Sequence, residues 1–242
     1  MCIRDRYKNK VNTIHSNFKT IRTIFNKAEK YGLVKREYNP FVYYKLKKEA
    51  TSREFLTIEE LRKIRELELD PSTMIYHHRQ LFLFACSACG LRVSDLLTLR
   101  PVHIQEGYVD LQMSKVAKRI RFKLLPEANA ILDEYFDKNE RYVFPLLQLA
   151  DKATPKERDK KISRCTSLYN KNLKIIASRS GINKHLTSHV ARHTFATLSL
   201  SQGLRIEYVS RLLGHSSIRT TQIYSKIIDQ DLETEMEKLS FS

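Results

Sequence analysis

Between Val11 and Tyr31 the residues Ile14, Phe18, Ile21, Phe25 and Ala28 recur every three or four positions among polar neighbours. That spacing predicts one amphipathic helix, ended by Gly32. A lone helix cannot bury its own apolar stripe, so roughly the first 40 residues read as the end of a small helical domain. After Asn39-Pro40 the stretch YYKLKKEATSR is basic and loosely patterned, which predicts a linker. Thr57 followed by Glu60 then predicts a capping box at the start of a second unit. The boundary falls near Ser52, dividing the chain into residues 1–51 and 52–242.

In the second unit the run RQLFLFACSAC predicts a buried helix, stopped at Gly90, with a short helix from Ser94 to Leu99. GYVDLQM and RIRFKLL alternate apolar and polar residues on either side of SKVAK, which predicts two strands of a hairpin. A helix follows from Glu127 to Phe136. DKATPKERDKK packs eight charges into eleven residues and reads as an exposed loop. Further helices are predicted over Ser167 to Ser180, Ser188 to Gln202, Arg205 to Leu213 and Ser217 to Lys238, with Gly181, Gly203 and Gly214 as stops. The fold class is therefore mainly α with a small antiparallel β-hairpin or sheet, that is α+β, and no internal repeat is visible.

Charge narrows the partner. The chain has 43 Lys plus Arg against 27 Asp plus Glu, a net charge of +16 over 242 residues. Such an excess favours a polyanion, because each phosphate neutralised releases condensed counterions. The longest apolar run, LFLFACSACGL, has 11 residues, too short to span a bilayer. The opening MCIRDR carries charges where a secretory signal needs apolar residues, so the expected address is the cytoplasm, on the nucleoid when DNA is bound. Those six residues continue no downstream pattern and read as non-native adapter sequence. Of Cys2, Cys86, Cys89 and Cys165 only the middle pair forms C-x-x-C, and no second ligand pair follows, so they read as small core residues.

The residues suited to chemistry lie in separate short motifs. Ser188 is a candidate N-cap, which sets His189 and Arg192 on one face of a first turn, where a helix N-terminus already favours anions. His185, His189 and His193 stand four apart, a spacing that can bind metal. Val190 nevertheless occupies the place where a zinc-protease helix has Glu, and no carboxylate ligand accompanies the set. Arg92 follows Gly90, with Asp95 three residues on, either as a structural partner or as a group that orients the guanidinium toward a phosphate. Lys115 lies at the hairpin turn, and LLGHSSIRTTQIYSK brings His215 and Tyr224 within nine residues of each other.

The order Arg92, Lys115, His189 and Arg192 in HVAR, His215 in LLGH, then Tyr224, resembles the tyrosine recombinase family, the phage-integrase-like site-specific recombinases. The likeness runs from about Phe55 to Lys226, and the wording of GLRVSDLL, HVARHTFAT and LLGHSSIRTTQIY is similar to mobile-element integrases of Bacteroidetes type. The resemblance implies a catalytic domain preceded by the remnant of a helical DNA-binding domain. It implies cleavage and rejoining of DNA through a 3'-phosphotyrosine, with no metal, no ATP and no cofactor. Arg92 and Arg192 would clamp the scissile phosphate, His215 would bond a non-bridging oxygen, Tyr224 would attack, His189 would accept its proton, and Lys115 would protonate the leaving oxygen. The implied partners are double-stranded DNA attachment sites, a homotetramer on paired sites and accessory DNA-bending proteins, with no membrane. Two other readings fit parts of the pattern: a helix-turn-helix DNA-binding regulator and a type IB topoisomerase-like relaxing enzyme. Asp229, Asp231, Glu233, Glu235 and Glu237, interleaved with Leu232, Met236 and Leu239, read as a terminal helix that packs on its own domain or docks on a neighbouring protomer.

Overall fold

A computed structural model describes residues 9–49, 53–136, 141–150 and 153–228. The opening hexapeptide, the acidic tail from Asp229 and Ser52 at the expected boundary lie outside these residues. The chain forms two compact units, Met1–Ser52 and Arg53–Ser242.

In the first unit, α1 spans Val11–Lys30. The segment expected as a linker folds back on this helix. Phe41 packs on Phe18 and Phe25, with ring centroids 6.2 and 5.9 Å apart, and Tyr44 reaches Phe18 at 5.9 Å. Farther along, Asn12 and the Glu49 backbone exchange two hydrogen bonds, at 3.0 and 3.1 Å. The aromatic residues at 41 and 44 match the α1 stripe, and the basic residues that follow them, Lys45, Lys47 and Lys48, conceal that match in a composition-based reading.

The second unit is built around α3 (Met74–Ser87), which packs against α2 (Ile58–Glu66), α5 (Pro126–Asp133), α6 (Pro155–Arg179) and α7 (Ser188–Ser201). Leu81, Phe82, Leu83, Phe84 and Ala85 are all buried, as expected of a helix that is apolar all round. The helix begins five residues before the expected run and takes in His78, which is buried like Arg79 and Gln80. The capping box of α2 forms as expected, with Thr57 Oγ1 accepting from the Glu60 amide and Glu60 accepting from the Thr57 amide.

Short α4 (Val93–Leu97) uses Arg92 as its N-cap. The hairpin of β2 (Tyr108–Gln112) and β3 (Arg119–Lys123) forms with Tyr108 opposite Lys123 and Leu111 opposite Ile120. A two-residue strand, β1 (Ile104–Gln105), extends it to three antiparallel strands in the order β1-β2-β3. Two residues are too few to show an alternation in the sequence. Val109, Leu111, Ile120 and Phe122 turn inward to the core.

The expected exposed loop around residue 155 is instead the start of α6. Thr154 and Glu157 form a second capping box and Pro155 occupies the first turn, so the helix starts inside the charged stretch. Its charges lie on a solvated face, while Tyr169, Leu173 and Ile176 bury the other. Beyond α7 come α8 (Ile206–Leu212), a 3-10 turn at Ile218–Thr220, and helical residues 222–228. Among the described residues no helix is long and apolar enough to cross a membrane.

Candidate active site

Arg192, on α7, is the joint at which three motifs meet. It is only 7% exposed, and its guanidinium donates from Nη1 to the Gly90 carbonyl at 3.0 Å and from Nη2 to the Leu213 carbonyl. Two of its five N–H donors are thereby committed, which leaves three for another acceptor. Gly90 makes the approach possible. Its φ is +61°, and a Cβ there would lie 3.0 Å from the Arg192 Cα. Burial, then the charge of Arg92, lowers the Arg192 pKa to about 10, while Tyr224 and Asp95 act in the opposite direction, so the group stays cationic at neutral pH.

Arg92 is half-buried and contacts the Met113 sulfur at 3.5 Å from Nη1. The expected pairing of Arg92 with Asp95 is replaced by a different bond: Asp95 Oδ1 accepts from the Ser114 amide at 2.9 Å. Asp95 thus ties α4 to the hairpin turn that carries Lys115. Asp95 is 3% exposed, and its Oδ2 has no hydrogen-bond partner among the described residues. Replacing Asp95 with alanine is expected to lower the stability of the second unit by about 1–3 kcal/mol and to speed amide exchange at Ser114. Asp95→Asn, which keeps the acceptor, should recover most of both losses in urea unfolding and hydrogen-exchange measurements.

Lys115 is exposed at the hairpin turn, and its charge reaches His189. His189 lies at the solvent edge, its pKa lowered by desolvation first and then by Arg192, Lys115, Arg53 and Arg92. The N-terminus of α7 differs from expectation. Thr187 rather than Ser188 is the N-cap, without a side-chain bond, and the Ser188 amide is taken by Asn170 Oδ1 at 2.8 Å, so that amide is not open to an anion.

Gly214, at φ +65°, turns the chain so that His215 faces back toward Arg192 and Arg92, whose charges act on its ring. A Cβ at Gly214 would meet the Met113 methyl at 2.1 Å, so the end of that side chain would have to shift, and the positive φ itself favours glycine. His215 Nδ1 lies 2.8 Å from Thr221 Oγ1. If Nδ1 accepts the hydroxyl proton, a neutral ring carries its hydrogen on Nε2 and can donate it outward. Burial, followed by the nearby cations, holds the His215 pKa down to about 4, so neutral imidazole is the form present at neutral pH.

Tyr224 is 2% exposed within helical residues 222–228. The ring against its hydroxyl is His193, with Nδ1 at 2.8 Å, rather than the expected His189. His189 stacks on His193, their centroids 6.5 Å apart and their planes at 27°. Burial raises the Tyr224 pKa, while Arg192 and Arg53 act to lower it. In the sequence His193 stands out only through its metal-like spacing with His185 and His189. Among the described residues no group of three or more His, Cys, Asp or Glu side chains could hold a metal ion. Arg53 ends the stretch that the sequence marks as linker. Its charge acts on His189, His193 and Tyr224, and only the tertiary fold shows this. Nearby residues anchor the segment that follows it: the Leu56 amide donates to Thr194 Oγ1 at 2.9 Å, and Lys184 bonds the Phe55 carbonyl at 2.9 Å.

The sequence pattern of the phage integrase family matches residues 54–231, well over half of the chain. The chain belongs to the phage integrase family. Among curated relatives, it is 29% identical over 211 residues to tyrosine recombinase XerD of Listeria innocua, covering 80% of this chain and 65% of that protein. It is 36% identical over 189 residues to tyrosine recombinase XerA of Thermococcus onnurineus, covering 76% and 61%. This family member thus spans less than two thirds of the length of either relative. Among solved structures, a lambda integrase dimer bound to a COC' core site matches with a TM-score of 0.62 at 19% identity, covering 87% of this chain and 59% of that one. A Tn1549 transposon integrase fragment in complex with transposon right end DNA matches with a TM-score of 0.65 at 17% identity, covering 98% and 82%. These likenesses establish the integrase catalytic-domain fold: mostly helical, with one small antiparallel sheet.

Proposed function

We propose that this chain cleaves and rejoins double-stranded DNA at specific sites through a 3'-phosphotyrosine intermediate, without metal or ATP. The observation that carries the reading is the Tyr224 hydroxyl, buried within the field of the Arg192 guanidinium, whose remaining N–H donors are uncommitted among the described residues.

Negative charge grows on the non-bridging oxygens as a phosphodiester is attacked, and donors fixed beforehand stabilise it without reorganising. Arg192 and Arg92 supply such donors, and His215 adds its Nε2 hydrogen. Tyr224 attacks phosphorus. Its proton leaves toward His189, the ring stacked behind His193, which lies against the hydroxyl, and the 5' oxygen leaves with a proton from the Lys115 ammonium. One P–O bond forms as another breaks, so a 5' hydroxyl from a second strand can reverse the step with no outside energy source. The net positive charge of the chain serves DNA binding. The first unit acts as part of the DNA-binding clamp, and exchange takes place in a homotetramer on paired sites, assisted by DNA-bending proteins, on the nucleoid in the cytoplasm.

The test is a nicked suicide duplex carrying a site that the chain selects from a random pool. An SDS-resistant covalent adduct is expected, and its absence on a tightly bound site contradicts the reading. Lys115→Ala should slow adduct formation by about 10² to 10⁴ on ordinary DNA. Replacement of the scissile 5' oxygen by sulfur should restore near-parental speed, because a thiolate leaves without a proton. Arg192→Ala should gain no such rescue, since its charge acts on the phosphoryl oxygens whichever atom leaves.

A further inference from the structure

We propose that His193 is a positioning residue for the nucleophile, its Nδ1 accepting the Tyr224 O–H and fixing where the phenol stands before attack. The proposal rests on the phosphotyrosine reading and adds to it a residue that the mechanism above does not use.

The geometry is direct. Nδ1 and the phenolic oxygen are 2.8 Å apart, and the two rings lie at 46° with centroids 5.6 Å apart. Tyr224 is 2% exposed, so water does not compete freely for its hydroxyl. His193 is itself held on both sides in sequence: Arg192 is bonded to the Gly90 and Leu213 carbonyls, and Thr194 Oγ1 accepts from the Leu56 amide. Its ring is backed by His189. The imidazole is therefore mounted on a turn of α7 tied down on both sides, whereas Tyr224 follows a 3-10 turn and the short His215–Thr221 link.

Charge leaves Nδ1 able to accept. Arg53, Arg192, His189 and His215 face His193, and burial together with these groups holds its pKa down to about 4. The ring is then neutral at pH 7, so Nδ1 can accept from the phenol, and Tyr224 keeps its hydrogen until the phosphate arrives. A base with so low a pKa is a poor sink for a phenolic proton, which separates this role from proton uptake. Holding one oxygen at the right place matters because a misplacement of about 1 Å can cost about 10²-fold in rate.

Adduct formation is measured under single-turnover conditions on the nicked duplex, alongside DNA affinity and thermal unfolding, for the parent chain, His193→Ala and His193→Asn. The asparagine Oδ1 lies as many bonds from the backbone as Nδ1 and can accept the same hydrogen, but it takes up no proton at neutral pH. His193→Ala should bind DNA as the parent does yet form adduct about 10²-fold more slowly. His193→Asn should return to within about tenfold of the parent, as an exchange of one acceptor for another allows. An alanine variant as fast as the parent overturns the proposal and leaves the recombinase reading standing. An asparagine variant as slow as alanine, with both folded and DNA-bound, also overturns it, since the imidazole proton is then required. A parent chain that forms no adduct on a bound site contradicts the recombinase reading and this proposal with it.

Discussion

Arg192→Ala is expected to lose both fold stability and cleavage, and the two losses separate by a second substitution. The guanidinium supplies hydrogen bonds to the Gly90 and Leu213 carbonyls, both in buried residues. Alanine leaves both acceptors without this donor, at about 1–3 kcal/mol each, so the second unit should unfold at distinctly lower urea. Cleavage should fall by about 10³ or more, because the same group stabilises charge that develops only in the transition state. Arg192→Lys keeps a positive charge, but a compact ammonium cannot span two carbonyls and a phosphate at once. It should recover part of the stability and little of the rate. If Arg192→Ala unfolds more easily yet cleaves at the parental rate, the residue is a structural tie alone.

The roles of the site were legible to different depths. Arg192, His215 and Tyr224 sit in short motifs set off by neighbouring glycines and helix starts, and it is the resemblance of those motifs to a family, not their spacing, that implies one shared site. His193 was not legible. It lies 31 residues from Tyr224, and the bond depends on how α7 packs against the terminal helical segment. Arg53 was hidden in the same way, since its surroundings come from the anchoring of Phe55 and Leu56 to Lys184 and Thr194. Asp95 shows the opposite error. Its nearness in sequence to Arg92 suggested an ion pair, but the backbone amide of Ser114 is brought to it by the hairpin.

The fold was legible where periodicity was strong, as in α1 and the hairpin, and misread where charge outweighed local chemistry. The first turns of α6 carry Lys156, Glu157, Arg158, Asp159 and Lys160, which suggested a loop. The Thr154 capping box with Pro155 at the first turn is a helix start regardless of charge, because solvated side chains on one face cost a helix little. The basic stretch after Pro40 was misread for a related reason, since Phe41 and Tyr44 have a partner in Phe18 that only the folded unit reveals.

Tyr224→Phe is expected to abolish the covalent adduct altogether, as no other group in the account can form the bond to phosphorus. The substitution removes one oxygen from a ring that stays buried, so it loses the His193 hydrogen bond, worth about 0.5–1.5 kcal/mol, and little packing. DNA binding should be unchanged, because the binding charges are elsewhere. The measurement is the mass of the peptide carrying the trapped DNA 3' phosphate after protease and nuclease digestion of the parent adduct, with the Phe variant run beside it. The account predicts the phosphoryl mass on Tyr224 in the parent chain and no adduct in the variant; a phosphoryl mass on any other residue, or an undiminished adduct from Tyr224→Phe, contradicts it.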